Sequence, residues 1–326
     1  MRKPDARVAN PKQRQHIYIL TLIRTGTESK ALPWLISDTF RDVSDCAISR
    51  YGNESTTEKE TGCLHHHFPG GKWAGIYDFF RQHPDLLERY DWFWFPDDDI
   101  ETTPEEARRF LDIVQREGFA LAQPSLKPDS YYAHRITLSN PRFQFRRTNF
   151  VELMVPVIRR DLLKKVLPLF KDRHAALGLD FFWHQLTERP ARDVAIVDAV
   201  AMGHYRPRQT HLKGRMSNMG VDIDAEREGT FRQFAIRRQL PVILSGVTAN
   251  GRHLERGPAL WRAYFRGLGE IRKLATRDPF GYREMAGMLY RQLVTRTDTA
   301  CFDKDRFQRF LNESRKNEAF PFFEEA

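Results

Sequence analysis

Short apolar runs alternate along the first two thirds of the chain with stretches whose apolar residues have helical spacing. Residues 16–23 (HIYILTLI) and 194–202 (VAIVDAVAM) are apolar and rich in β-branched side chains, without an interrupting Gly or Pro. Such runs are typical of strands that are covered on both faces. Residues 91–95 (DWFWF) form a shorter aromatic run that stops at Pro96. We expect all three runs to be buried strands.

The most specific local pattern follows the aromatic run. Thr103 is a favourable N-cap residue, Pro104 suits the first helical position, and Glu106 completes a capping box. Gly118 is placed to end this helix, and residues 119–123 are apolar again. A strand, a helix and a second strand in this order form a βαβ unit. The sequence therefore predicts an α/β fold with a mostly parallel sheet flanked by helices.

The chain divides into four predicted segments. Residues 1–15 are basic and polar, without the apolar core of a secretory signal, and we expect a flexible leader. Residues 16–205 carry the strand patterns and form the α/β domain. Residues 206–230 are polar and basic with little periodicity, which predicts a mobile loop. Residues 231–326 are expected to form a helical C-terminal extension.

The composition is that of an ordinary globular protein with a basic surface. Of 326 residues, 52 are Lys or Arg and 43 are Asp or Glu, a net charge of +9. No nucleic-acid-binding module accompanies this charge, so we expect no nucleic-acid partner. No apolar stretch reaches the roughly 20 residues of a spanning helix. Cys46, Cys63 and Cys301 are too scattered for a disulfide framework, which predicts reduced thiols and a cytoplasmic protein.

Three consecutive acids, Asp97, Asp98 and Asp99, follow the aromatic strand. Their charges repel one another, and a divalent cation such as Mg²⁺ or Mn²⁺ would remove that repulsion while leaving coordination positions for phosphate. An Asx turn or acids at a helix N-terminus would explain the same residues without a metal. The position between a strand and a capped helix favours the metal site.

Other polar groups lie at predicted strand ends, where ligands of open α/β sheets bind. Arg24 and Thr25 follow the first strand, Gln123 ends the strand after Gly118, and His204 follows residues 194–202. Lys72 begins a predicted helix after two glycines, where backbone N–H groups already favour an anion. We expect Lys72, Arg24, Thr25 and Gln123 to contact a nucleotide.

The stretch from residue 72 to residue 204 resembles a known family. The motifs KWAGIYDFF, LLERYDWFWFPDDDIE, FALAQPSLKP, HRIT, NFVELMVPVI, ALGLDFFW and VAIVDAVAMGH occur in this order and resemble domain of unknown function 707. That family is grouped with glycosyltransferases of the GT-A fold, whose metal motif is Asp-x-Asp. The resemblance implies a GT-A-like, Rossmann-like fold and a site for a nucleoside diphosphate sugar in residues 16–205.

The resemblance also implies roles for single residues. Asp97 and Asp99 match the outer acids of the metal motif, and His204 matches a position that often supplies a further metal ligand. The alternative for His204 is a hydrogen-bonded histidine at a strand end. Asp98, between the two outer acids, is expected to contact the nucleotide sugar together with Asp97. The implied cofactor is Mn²⁺ or Mg²⁺.

Two acids are candidates for the catalytic base that takes a proton from the acceptor hydroxyl. Asp180 resembles the acceptor-side carboxylate of inverting enzymes, and its alternative is a helix N-cap. Glu152, on a predicted apolar strand, is the rival, and its alternative is a satisfied buried acid. Arg206 and Arg208 lie in the predicted loop, where they could close over phosphates, or the loop is simply a solvated basic one.

These observations lead to one hypothesis and two alternatives. The chain is expected to be a metal-dependent glycosyltransferase that moves a sugar from a nucleoside diphosphate sugar to a hydroxyl of a cell-envelope saccharide or glycolipid. A nucleotidyltransferase, or a non-catalytic carbohydrate- or lipid-binding protein on a degenerate transferase fold, would share many features.

The basic segment 252–296 raises the question of membrane contact. Trp261, Tyr264, Phe265 and Leu268 have helical spacing there. Such a stripe either packs against the catalytic domain or lies on an anionic membrane. The second option would place the protein at the inner membrane face.

Overall fold

The structure is a computed structural model that describes residues 18–26, 28–52, 62–207, 214, 216–218 and 220–317. The predicted leader at 1–15 and Arg208 lie outside these residues.

A large mixed sheet organises this part of the chain. Its strands are Ile19–Thr25 (β1), Asp45–Arg50 (β2), Leu64–His67 (β3), Trp92–Trp94 (β4), Ile100–Glu101 (β5), Leu121–Leu126 (β6), Phe143–Thr148 (β7), Val157–Arg159 (β8), Val194–His204 (β9), Ile243–Thr248 (β10) and His253–Glu255 (β11). The strand order is β11-β10-β7-β9-β6-β8-β4-β1-β2-β3, and β5 pairs with β9 beside this path.

Most strands of this path run in one direction. The pairings place β1, β2, β3, β4, β6, β9 and β10 parallel to one another, and β7, β8 and β11 antiparallel to them. The predicted α/β class with a mostly parallel sheet is therefore confirmed. The predicted βαβ unit is modified, however, because β8 lies between β4 and β6 and pairs antiparallel with both.

Helices cover the two faces of the sheet. They are Leu32–Leu35 (α1), Asp38–Arg41 (α2), Lys72–Gln82 (α3), Leu86–Arg89 (α4), Pro104–Glu117 (α5), Arg160–Val166 (α6), Ile223–Gln233 (α7), Pro258–Ile271 (α8), Tyr282–Val294 (α9) and Lys304–Asn317 (α10). In β1, Leu20 and Leu22 join the core under α3 and α6, whereas Ile19 and Ile23 join the core under α1 and α5. This alternation shows that β1 is buried on both faces.

The C-terminal part differs from the sequence prediction. Within the predicted loop 206–230, residues 223–230 belong to α7, whose N-cap Asp222 accepts hydrogen bonds from the N–H groups of Asp224 and Ala225. The segment 231–326, expected to be mostly helical, contains α8, α9 and α10 and also β10 and β11, which extend the central sheet beside β7. The sheet thus takes strands from both sides of the predicted boundary at residue 230. The division into domains stays a prediction.

The expectation that all cysteines are reduced is also wrong. Cys46 and Cys63 form a disulfide, and Cys301 is a free, buried thiol. The pairing of β2 with β3 places Ala47 opposite Leu64, which makes the two preceding cysteines neighbours with a Cα–Cα distance of 4.9 Å. Spacing along the chain does not reveal this proximity. The prediction of a cytoplasmic location loses one of its grounds, because disulfides persist mainly in oxidising compartments.

None of the helices in the described ranges combines the length and apolar character that crossing a bilayer requires.

Candidate functional site

The acidic turn, residues 97–99, lies at the carboxyl end of β4, as the sequence predicts. The backbone of Asp97 forms a bridge with Arg24 in β1, and its N–H donates to the carbonyl oxygen of Met154 at 2.9 Å. Phe95 N–H donates to the Pro156 carbonyl oxygen at 2.9 Å. The loop before β8 therefore holds both sides of Pro96 and fixes the direction in which the acids leave the sheet.

The pairing of β5 with β9 brings Asp99 and His204 together. Ile100 follows the acidic turn directly and lies opposite His204 in this pairing. Asp99 Oδ2 is 3.5 Å from His204 Nε2. The other ring nitrogen, Nδ1, lies 2.9 Å from the carbonyl oxygen of Tyr131. Two of the three predicted metal ligands are therefore neighbours, and the imidazole is held in a fixed orientation.

The charge of each partner shifts the pKa of the other. Burial lowers the pKa of His204, but the hydrogen bond to Asp99 and its negative charge outweigh burial and raise the pKa to about 9. Burial raises the pKa of Asp99, yet the hydrogen bond from His204 and the positive charges of His204 and Arg206 outweigh it and lower the pKa. At neutral pH the pair is therefore an imidazolium and a carboxylate.

Lys72 neutralises the first acid of the turn. It is the first residue of α3, and its Nζ lies 2.6 Å from Asp97 Oδ1. The same ammonium donates to the carbonyl oxygens of Leu153 and Met154 at 2.9 Å each. Gly71, which precedes Lys72, packs so closely against His174 that a Cβ at this position would lie 2.4 Å from the His174 carbonyl oxygen. The lysine predicted to bind phosphate thus reaches the acidic turn itself.

Arg206 and Tyr51 border the middle acid. Arg206 Nη1 is 3.5 Å from Asp98 Oδ1, and Arg206 Nε is 3.5 Å from Asp99 Oδ2. The Tyr51 hydroxyl donates to Asp98 Oδ2 at 3.2 Å. Burial, together with the charges of Asp99 and Asp97, raises the pKa of Asp98 to about 6. The turn and its surroundings therefore contain three acids and three basic side chains: Lys72, Arg206 and His204.

The described residues fit a metal ion with two protein ligands and not the predicted three. No three His, Cys, Asp or Glu side chains in the described ranges are grouped so that they could hold an ion together. Asp97 is paired with Lys72 instead. Asp99 Oδ1, however, is buried and has no hydrogen-bond partner among the described residues. Divalent cations in phosphate-handling proteins commonly take few protein ligands and complete their coordination with phosphate oxygens, so Asp99 and His204 are the side chains that would hold an ion that arrives with phosphate.

Three residues predicted to contact the nucleotide are buried in the sheet. Arg24 donates to Ser49 Oγ at 2.6 Å and to the carbonyl oxygen of Gly70 at 2.7 Å, which ties the end of β1 to the start of α3. Thr25 is fully buried and donates to the Gly26 carbonyl oxygen. Gln123 is fully buried as well. The polar groups of all three side chains thus form hydrogen bonds within the chain.

Glu152 lies in the loop between β7 and β8 and not in the predicted strand. Its N–H donates to Gln123 Oε1 at 2.6 Å. Gln123 therefore positions the backbone directly before Leu153 and Met154, whose carbonyl oxygens accept hydrogen bonds from Lys72. Glu152 is buried with 7% of its surface exposed. It remains a candidate for the catalytic base.

Asp180 lies in a short 3₁₀ helix, Leu179–Phe181, that follows Gly178 with a φ of 99°. The carboxylate is buried, and its Oδ1 has no hydrogen-bond partner within the described ranges. Burial raises the pKa of Asp180 to about 7, against the opposing effects of local backbone hydrogen bonds and of the positive charge of Arg238. An ionisable group with these properties is well suited to proton transfer near neutral pH.

Tyr51 and Tyr131, which contact Asp98 and His204, were not among the residues predicted from the sequence. Tyr51 follows β2, whose parallel neighbour β1 ends at the site. The rule that polar residues after parallel strands converge could therefore have found it. Tyr131 contributes only its backbone carbonyl, which side-chain patterns do not reveal.

No curated protein matches this chain. The solved structures to which the chain is similar include S. aureus TarS 1–349 in complex with UDP-GlcNAc. The identity is 11%, the TM-score is 0.41, and the match covers 93% of each chain. A mycobacterial protein has 13% identity and a TM-score of 0.38, covering 63% of this chain and 76% of that chain. A197 from STIV has 11% identity and a TM-score of 0.36, covering 74% and 95%. All three scores lie below 0.5, so the chemistry of the site is argued from its own residues.

A family model gives a more local match. It is described as "Protein of unknown function (DUF707)", and it begins at Gly71, next to Lys72, and includes the acidic turn. Residues 71–149 of this chain thus match the DUF707 family, which confirms over this segment the resemblance found in the sequence.

Proposed function

We propose that this chain is a glycosyltransferase that moves a sugar from a nucleoside diphosphate sugar to a hydroxyl of a cell-envelope saccharide or glycolipid. The observation that carries the proposal is the acidic turn at the carboxyl end of β4, with Asp99 beside His204 and with Lys72 and Arg206 at its border. Ligands of open α/β sheets bind at this edge. Carboxylates mixed with basic side chains suit a diphosphate that arrives with a divalent cation.

The proposed cofactor is Mn²⁺ or Mg²⁺, held by Asp99 and His204. When bound, the ion would neutralise the negative charge that develops on the leaving diphosphate. The unpartnered Oδ1 of Asp99 supports this assignment, because a buried carboxylate oxygen without a donor is costly. His204 would release its proton on binding the ion, since only the neutral imidazole coordinates a metal.

The remaining residues of the site would bind and orient the diphosphate. Lys72 presents its ammonium beside the N-terminus of α3, where free N–H groups add partial positive charge. Arg206 carries a planar guanidinium that can bind two phosphate oxygens at once. Its 36% side-chain exposure leaves it accessible to a ligand that enters from solvent.

Asp180 is the proposed base, and Glu152 is its rival. With a pKa raised to about 7 by burial, Asp180 is a stronger base than an ordinary carboxylate and is still substantially ionised at neutral pH. Its unpartnered Oδ1 would accept the proton of the acceptor hydroxyl. Replacing either acid by its amide tests which one is needed: Asp180→Asn should abolish transfer, and Glu152→Gln should leave measurable transfer.

The experiment that tests the proposal is a melting curve with UDP, GDP or CMP, each with and without Mn²⁺. We expect one nucleotide to raise the melting temperature only when Mn²⁺ is present. Asp99→Asn should remove this shift, whereas Asp112→Asn, an exposed acid on α5, should keep it. If no nucleotide gives a metal-dependent shift with the unmodified chain, the proposal is wrong.

Product analysis separates the proposed activity from its alternatives. With a panel of nucleotide sugars and Mn²⁺, a glycosyltransferase releases the nucleoside diphosphate, and in the absence of acceptor slow hydrolysis also gives free sugar. A nucleotidyltransferase instead forms or consumes pyrophosphate. A non-catalytic binding protein gives neither product, although it can still bind the ligand.

We also propose peripheral contact with an anionic membrane, through α9 and not through the stripe on α8. Tyr264 and Leu268 of that stripe are fully buried in the core. On α9, by contrast, Tyr282, Tyr290 and Leu293 are 71%, 64% and 60% exposed. Their spacing places them on one side of the helix. Exposed apolar and aromatic groups on a basic helix are typical of membrane-surface binding.

The charge around α9 favours a lipid surface over a second copy of the chain. Residues 272–296 contain six Lys or Arg and two Asp or Glu. A second copy docked on this face would bring like charges together, whereas anionic lipids would attract them. Binding to vesicles that contain phosphatidylglycerol, compared with vesicles of phosphatidylcholine alone, tests this contact.

A further inference from the structure

A groove of about 700 Å³ lies between α8, the β10–β11 turn and the residues that precede β7. Four arginines line it: Arg142, Arg252, Arg262 and Arg266. Ala259 and Ala263 of α8 also line it, and their small side chains leave the space between the arginines open. These residues lie apart from the acidic turn, and the proposed transfer reaction does not use them.

The groove has an excess of positive charge. Glu270 is the acid among the lining residues, and it is already bound to Arg142, whose Nε donates to Oε1 at 2.9 Å. Among the described residues, the side chains of Arg252, Arg262 and Arg266 have no ion-pair or hydrogen-bond partner. Three guanidinium groups on one groove are therefore left without an acid.

The arrangement on α8 is locally unfavourable. Arg262 and Arg266 are four residues apart, so they lie on the same side of the helix. Like charges at this spacing destabilise a helix, and Glu270, four residues after Arg266, is engaged by Arg142. Arg252 adds a third positive charge from a different element. An anion in the groove would turn this repulsion into attraction.

Strand directions place the groove at the same edge of the sheet as the acidic turn. Thr248, the last residue of β10, pairs with Phe143, and β10 runs parallel to β9. The β10–β11 turn and His204 therefore lie beyond the same ends of their strands. Only β7 separates β10 from β9, about 10 Å between strand axes, and His204 lies seven residues beyond Val197, which is level with Val247, or roughly 20 Å further along the strand. One extended ligand could contact both places.

We propose that this arginine groove binds the phosphate-bearing part of the acceptor. The assignment to the acceptor rests on the proposed transferase function, whereas the anion site itself does not. Guanidinium groups pair with phosphate through two parallel hydrogen bonds, which makes phosphate the best-matched anion. The donor diphosphate already has Lys72 and Arg206. None of the lining residues is aromatic, so the groove lacks the stacking surface that binds nucleobases.

Binding of tripolyphosphate, measured by calorimetry at low ionic strength, tests the groove directly. The double variant Arg262→Gln/Arg266→Gln should bind about tenfold more weakly, a change of about 1.4 kcal/mol. Arg252→Gln, on the turn, should also weaken binding, which guards against a folding defect in α8. Arg306→Gln/Arg309→Gln removes two exposed arginines from α10, which no proposal uses, and should bind like the unmodified chain.

The outcomes separate the groove from general charge effects. Equal weakening in the α8 and α10 double variants would show non-specific attraction and would overturn the proposal. Unchanged binding in the α8 double variant would overturn it as well. Displacement of tripolyphosphate by phosphatidylglycerol vesicles would identify a lipid phosphate as the source. Displacement by a soluble phosphorylated oligosaccharide, with no effect of the vesicles, would identify a glycan phosphate, and either result supports the site.

The nucleotide melting curves separate this proposal from the transferase function. If tripolyphosphate binds as expected but no nucleotide stabilises the chain, the transferase proposal fails and the anion site stands. If a nucleotide stabilises the chain and the α8 double variant still binds tripolyphosphate normally, the groove proposal fails alone. If both the transferase proposal and the groove proposal hold, the α8 double variant should raise KM for a phosphorylated acceptor while donor hydrolysis stays unchanged.

Discussion

Replacing Asp180 with asparagine should make the stability of the chain less sensitive to pH. The pKa of this buried carboxyl is raised from 3.8 to about 7, chiefly by burial. Between these two values the folded state holds a proton that the unfolded state has lost. The free energy of unfolding therefore falls as the pH rises from about 4 to about 7, and above that the contribution is constant. Asparagine carries no charge in either state and has no such dependence.

The magnitude follows from linkage. Each unit of pKa difference corresponds to about 1.4 kcal/mol, and the full difference of about three units corresponds to about 4 kcal/mol. Between about pH 5 and about pH 8, the part that is lost amounts to about 2–3 kcal/mol. No discount for solvent screening applies, because the side chain is buried.

Urea unfolding at the two pH values measures this effect. The free energy of unfolding of the original chain should fall by about 2–3 kcal/mol more than that of Asp180→Asn. Other titrating groups cancel in this comparison. Asp112→Asn, which removes an exposed acid, should behave like the original chain. Equal pH dependence in the original chain and Asp180→Asn would refute the argument that burial raises this pKa.

The same substitution separates stability from function. If Asp180 is the base, Asp180→Asn should be more stable above pH 7 and inactive in transfer, which is the trade-off that functional residues commonly show. A variant that is more stable and fully active would leave Glu152 as the better candidate.

Three further predictions concern other parts of the molecule. Arg146 and Asp198 are a fully buried ion pair with contacts of 2.7 and 2.8 Å, so Arg146→Met should lower the free energy of unfolding by about 3–5 kcal/mol, measured by urea unfolding. The disulfide between Cys46 and Cys63 closes a 17-residue separation, so Cys46→Ser should cost about 3 kcal/mol, and dithiothreitol should destabilise only the original chain. Leu293→Glu on α9 should abolish cosedimentation with phosphatidylglycerol vesicles without changing the melting temperature, and retained binding would exclude α9 as the membrane face.

Local chemistry made the region around α5 predictable. Thr103 accepts a hydrogen bond from the Glu106 N–H, as an N-cap does, and Gly118 ends the helix with a φ of 67°. One detail of the predicted capping box is wrong, because the Glu106 side chain accepts from the Thr102 hydroxyl at 3.1 Å. These features depend on residues within a few positions of one another, which is the range that sequence patterns describe.

Pairings between distant segments were not predictable in the same way. The insertion of β8 between β4 and β6 depends on where the chain returns after β7. The strands β10 and β11 and the disulfide between Cys46 and Cys63 likewise depend on contacts across the sheet. The exposed side of α9 could not be predicted from the sequence, because it depends on α8 burying the more apolar stripe in the core.

The balance of charge at the acidic turn shows what sequence alone could and could not establish. The three acids were recognisable because they repel one another, but Lys72 and Arg206 were assigned to phosphate and His204 to the metal. In the structure Lys72, Arg206 and protonated His204 offset Asp97, Asp98 and Asp99, so the ligand-free site is close to neutral. A diphosphate alone would compete with Asp97, Asp98 and Asp99 for the positive charges of Lys72 and Arg206. A diphosphate that enters with a divalent cation adds little net charge, and it also supplies a ligand for the unpartnered Oδ1 of Asp99. The neutrality of the free site is therefore itself a reason to expect that donor and metal bind together.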